Sequence, residues 1–217
     1  MMEMIAALAL ASAHQDGADA RLDLFRQACL PHRQDMAAAA QALSRDGWDA
    51  VAEDDHAELS GTLARARAVA VDPDLQMENV FSVWGRTVEG RRYYVVLNRL
   101  TAVLAEAEDT DGDGILQEWE ERDVLSLMGC GLWDFEADAA VNAEAVTAWI
   151  GAEPVQTVDL PGQIQAGTWN VHALYPGTGE IHVGFIPDGS PYVAETRFSG
   201  VSITMSTWLP EPTDAVE

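Results

Sequence analysis

Between residues 109 and 120 five carboxylates crowd one short stretch: Asp109, Asp111, Asp113, Glu118 and Glu120. Alternate side chains of a tightly curled loop point toward one centre, so the three Asp at spacing two converge. Glu120 closes the shell from the far side. Without an ion these carboxylates repel one another, and a bound divalent cation relieves that repulsion. Every side-chain donor is an oxygen, which suits a hard cation that takes six to eight oxygens in flexible geometry; calcium fits that description. Magnesium wants a smaller octahedral shell and keeps its waters. The stretch has no His or Cys, the donors that transition metals favour. In a chain with 36 acidic residues, an acidic surface loop is the plainer alternative.

The full pattern is more specific than its acids. Residues 109–120 read Asp-Thr-Asp-Gly-Asp-Gly-Ile-Leu-Gln-Glu-Trp-Glu, and this stretch resembles the loop of the EF-hand calcium-binding family. The resemblance implies that Asp109, Asp111 and Asp113 give carboxylate oxygens, Ile115 its backbone carbonyl and Gln117 an oxygen through a water. It implies that Glu120 binds with both oxygens. Gly114 then takes the sharp turn and Leu116 the aliphatic position. The family places helices on both sides. Ala102 to Glu108 is a good helix former, and Val124, Leu125 and Met128 share one helical face. Glu108 and Glu121 replace the large apolar residues that the family places beside the loop. That leaves open whether two helices flank it or a strand takes one side. No second loop is found: Asp72-Pro-Asp74 has no partner Gly or Glu, and Asp188-Gly189 lacks the other acids. A lone hand argues against a calmodulin-like switch.

Composition sets the outer bounds. The chain has 217 residues with 48% apolar content, enough for a sizeable core. Two small cores would fit the same length. Its net charge of −24 excludes nucleic acid as a natural partner and disfavours an anionic membrane surface. All 12 basic residues are Arg, which with the Ala richness points to a GC-rich bacterial genome. Met1 to Ala13 carries the apolar run Ile5–Ala11 and an Ala-Ser-Ala site ahead of polar His14, although Glu3 stands where a secretory leader has basic residues. Residues 1–13 are therefore expected to be the remnant of a signal peptide, and the protein periplasmic or extracellular. A cytoplasmic protein with an amphipathic N-terminal helix is the alternative. No segment approaches transmembrane length. Cys29 and Cys130 make an even count, which suggests a disulfide in an exported chain; two buried thiols are the alternative.

The expected fold class is α+β: N-terminal helices, a central β-hairpin followed by the single EF-hand-type loop, and a C-terminal antiparallel sheet. Leu22, Leu24, Phe25, Ala28 and Cys29 form an apolar stripe that stops before Pro31. Further helices are expected over Gln34–Leu43, over His56–Ala70 behind Asp54 and Asp55, and over Ala139–Ile150. Val80–Trp84 and Tyr93–Leu97 read as strands joined at Glu89-Gly90. Residues 14–153 make a helical and mixed region, 154–210 an antiparallel β region that could form one domain with it, and 211–217 an acidic tail. In the β region strands are expected over Thr168–Tyr175, Ile181–Phe185, Tyr192–Phe198 and Val201–Leu209.

Other clusters carry less. His172 and His182 are placed to face each other across a hairpin, a weak metal hint without a third ligand. Asp54, Asp55, His56 and Glu58 read most simply as a solvated helix start. The seven Trp suggest sugar stacking or, by default, core packing. No nucleophile elbow, phosphate loop, dinucleotide fingerprint or His-Glu-x-x-His occurs, and no catalytic residue is nominated. The leading expectation is an exported protein whose one calcium loop stabilises the fold. The alternatives are an envelope enzyme with a structural calcium site, and an interaction module that pairs through an exposed edge strand of its C-terminal sheet, in the 192–209 region.

Overall fold

A computed structural model describes residues 19–69, 76–103 and 124–209. Among these the architecture is α+β and mostly sheet. Eight antiparallel strands run in the order β1-β2-β3-β4-β8-β7-β6-β5. The elements in chain order are α1 (Ala20–Cys29), α2 (Met36–Arg45), β1 (Asp49–Val51), α3 (Ala57–Val69), β2 (Gln76–Val88), β3 (Arg91–Val103), β4 (Val124–Asp134), α4 (Ala143–Ile150), β5 (Gln156–Leu160), β6 (Ile164–Asn170), β7 (Thr178–Ile186), α5 (Tyr192–Thr196) and β8 (Gly200–Trp208).

Local chemistry starts the helices. Asp19 caps α1 by accepting from Arg21 N at 2.9 Å, and Asp35 caps α2 by accepting from Ala38 N at 2.9 Å. Asn142 accepts from Glu144 N at 2.8 Å to cap α4, which ends at Gly151 in the left-handed region. The β2–β3 hairpin turns at Glu89 (φ 51) and Gly90 (φ 84). Two successive positive φ values give the turn whose twist matches that of the flanking strands.

Period-two alternation sorts the sheet into two faces. One face sends Val95 and Leu97 of β3, Met128, Cys130 and Leu132 of β4, Ile203 and Met205 of β8, and Ile181 and Val183 of β7 into the main core. Phe25, Leu43, Val146 and Trp48 cover this face. On the other face α3 buries Leu59 and Leu63 against Val83, Tyr94 and Val96. Full burial of such a Leu contributes roughly 1.5–3 kcal/mol, so these two side chains contribute to the docking of α3.

Three expectations change. Tyr192–Thr196 is helical, not a strand; its hydrogen bonds run locally, with Arg197 N donating to Val193 O at 2.9 Å. The strand expected to reach Tyr175 ends at Asn170, because the chain turns there and Tyr175 N donates to Val171 O at 2.8 Å. The 192–209 region is not a sheet edge either, since β8 lies between β4 and β7. The edges are β1 and β5, and every residue of β5 is exposed. Because β4 pairs with β8, one continuous sheet crosses the boundary drawn at residue 154. Among the described residues no helix is long and apolar enough to cross a membrane.

Candidate functional site

The candidate ligands Asp109, Asp111, Asp113, Ile115, Gln117 and Glu120 all lie outside the described residues. What the structure places is the frame around them. β3 and β4 are paired in register from Tyr94↔Trp133 through Leu97↔Cys130 to Val103↔Val124. Residues 104–123 therefore join two adjacent antiparallel strands, whose paired ends stand about 5 Å apart. The choice between helix and strand beside the segment, open in the sequence, falls to strand at both near ends: Ala102 and Val103 belong to β3, and Val124, Leu125 and Met128 to β4. The reason is non-local. Ala102, a good helix former, is held opposite both Met77 of β2 and Leu125 of β4, and ladder pairing outweighs helix propensity.

Behind that frame β4 is clamped. Cys29 and Cys130 form a disulfide with a Cα–Cα distance of 5.6 Å, and both residues are buried. It ties the last turn of α1 to the middle of the strand that leaves the 104–123 segment. Among the described residues no three His, Cys, Asp or Glu side chains are grouped to hold a metal. His182 does not face His172. It pairs across to Thr168, whose Oγ1 lies 3.0 Å from its Nδ1, while His172 sits beyond the end of β6.

The cluster at the start of α3 is less solvated than its composition suggests. His56 stacks on Phe135 at 4.2 Å. Asp55 accepts the Tyr94 hydroxyl at 3.0 Å, and Arg92 Nη2 lies 3.6 Å from the same carboxylate. Burial, then the hydrogen bond to Asp55, pushes the Tyr94 phenol up. Glu58 accepts the Ser199 hydroxyl at 2.9 Å. These contacts fasten α3 to β3 and to the residue before β8.

No family model matches this chain, and no curated protein or solved structure is significantly similar to it.

Two features escaped the sequence. Asp134 closes β4 with its side chain fully buried, 3.3 Å from Arg91 Nη1, and its Oδ1 accepts from Glu136 N at 3.3 Å. Burial pushes its carboxyl above the ordinary range, against the pull of Arg91 and then Arg21. An Asp at a strand end carries no sequence signal for this. The second is a cavity of about 390 Å³ between the 140–143 segment and strands β5–β7. Trp169, Val183 and Phe185 line it, and at its polar end Gln165 Nε2 donates to Asp159 at 3.1 Å. Its lining is formed by residues far apart in sequence, so no local pattern announces it.

Proposed function

We propose that this is an exported, disulfide-stapled calcium-binding protein in which residues 109–120 hold one Ca²⁺ as a structural clip. Asp109, Asp111, Asp113 and Glu120 would supply carboxylate oxygen, Ile115 its carbonyl, and Gln117 an oxygen through a water. The observation that carries the reading is the register of β3 and β4. It pairs Val103 with Val124, the described residues that bracket the acidic segment, which suits a donor set that must close on one centre. The donor chemistry also fits, being all oxygen within an acidic chain. The Cys29–Cys130 bridge supports an oxidising compartment, periplasmic or extracellular, since such bonds are rare in the cytosol.

A bound ion would neutralise the carboxylates of residues 109–120 and remove the repulsion between them. A lone loop of this kind should bind with a dissociation constant of about 10⁻⁴–10⁻³ M. At about 100 times that concentration the fold gains about 2.7 kcal/mol, a rise in melting temperature of roughly 5–10 °C for a chain of this size. The test is a calorimetric titration of the wild-type chain and of Glu120→Gln with calcium, alongside melting curves in calcium and in chelator. Binding heat and a calcium-dependent melt in the wild type, both weakened in the variant, are expected. Identical melts and no heat would remove the proposal.

A further inference from the structure

Among the described residues, the sheet face opposite the main core is left partly open where β4, β8, β7 and β6 meet. An open groove of about 360 Å³ lies there, lined by Leu127, Asn170, Glu180, His182, Ser206 and Trp208. We propose that this groove binds a neutral oligosaccharide, with one sugar ring stacked on Trp208.

Three independent observations converge. The first is the indole. Trp48 and Trp169 are buried and Trp84, Trp133 and Trp149 half-buried, so among the described residues Trp208 alone is an exposed Trp, at 50%. An exposed indole face beside polar groups suits the C–H face of a sugar, which is apolar, while the hydroxyls at its rim seek hydrogen bonds.

The second is the backbone. Between Thr178↔Thr207 and Ile181↔Met205 the β7–β8 register slips by one residue. Gly179 and Glu180 thus oppose the single residue Ser206. Such bulges re-aim side chains and recur beside functional sites. Here Gly179, Glu180 and Ser206 all line the groove. Beneath them, the buried hydroxyls of Thr178 and Thr207 meet at 2.7 Å and fix the bulge from the core side.

The third is the hydrogen-bonding inventory. His182 is oriented by Thr168, 3.0 Å from its Nδ1, and its Nε2 lies 3.7 Å from Glu180. Asn170 Oδ1 accepts from His172 N at 3.1 Å, which leaves its amide hydrogens for a ligand. Ser206 can donate and accept, and Glu180 accepts. A mixed donor and acceptor rim around one aromatic face matches a polyhydroxylated ring. An anionic sugar is disfavoured by Glu180 in the groove and by the net charge of −24.

The experiment is a titration of the ¹⁵N-labelled full chain with maltotetraose, cellotetraose and chitotetraose, each to about 10 mM, a range that detects millimolar binding. A tetragalacturonate serves as the anionic control. Saturable shifts centred on Asn170, Glu180, His182, Ser206 and the Trp208 indole with at least one neutral sugar are expected. Trp208→Ala should weaken that binding about 10-fold or more, and Trp208→Phe less, because the ring face is retained. Leu174→Ala, an exposed apolar control outside the groove, should leave it unchanged. If Trp208→Ala does not fold, Asn170→Ala decides, with a loss of several-fold expected. No shifts with any neutral sugar, shifts mapping elsewhere, or stronger binding of the anionic control would overturn the proposal. Shifts at these residues that follow protein concentration alone would assign the groove to a second copy of the chain and overturn it equally.

Discussion

Breaking the link between α1 and β4 has a magnitude that follows from chain length. Cys29 and Cys130 are separated by 101 residues. In the chain-entropy treatment a loop of that size restricts the unfolded ensemble by about 16 cal/mol/K, or about 4.7 kcal/mol at 25 °C. For a domain of this size each kcal/mol moves the melting temperature by about 2–4 °C, so reduction should lower it by roughly 10–20 °C. Two perturbations separate the causes. Reduction keeps both sulfur atoms in the core and removes only the crosslink. The double variant Cys29→Ala, Cys130→Ala also empties two buried positions, which should add roughly 1–2 kcal/mol of lost packing. The assay is urea and thermal unfolding followed by circular dichroism, on oxidised, reduced and double-Ala protein. The expected order of stability is oxidised, then reduced, then double Ala. A reduced protein that melts within about 2 °C of the oxidised one would refute the reasoning. It would show either that the unfolded chain is already compact enough to gain nothing from the link, or that the two residues are not bridged.

Two further outcomes probe the sheet. At Gly129 an added Cβ would clash with Asn98 Oδ1, so Gly129→Ala must displace Asn98 and break its 3.1 Å bond to Asn79. Urea unfolding should show a loss of about 1–3 kcal/mol. In an Asn98→Ser background the same change should become neutral or stabilising, since a strand interior favours Ala over Gly; an unchanged penalty there would place the clash elsewhere. Asp134 should give an inverted pH dependence. Its folded carboxyl titrates above the ordinary value, so its contribution is most favourable below about pH 4 and is lost as pH rises through the folded value. Asn mimics the protonated form, so Asp134→Asn should gain stability relative to wild type as pH rises above about 4. A difference that stays flat or shrinks with rising pH, measured by urea unfolding across that range, would contradict the assignment.

Much of this molecule was legible in its residues because the signals are local. The caps Asp19, Asp35 and Asn142 and the Glu89-Gly90 turn act within a few residues of themselves, and α1, α2, α4 and the β2–β3 hairpin lie close to where those signals put them. The α+β class and the apolar stripe of α1 are legible for the same reason: burial of an amphipathic element follows its own period. The acidic pattern of residues 109–120 is equally local, and the calcium loop proposed for it rests on those residues alone, which lie outside the described structure. The flanks of that loop are different. Ala102 and Val124 have partners far along the chain, and pairing with Leu125 and Val103 makes them strand, whatever their helical leaning. The place of β8 at the centre of the sheet, the burial of Asp134 and the groove around Trp208 depend likewise on which strands pair. Side-chain period tells each segment which face to bury. The order of strands is set by contacts between residues distant in sequence, and only the folded chain brings those together.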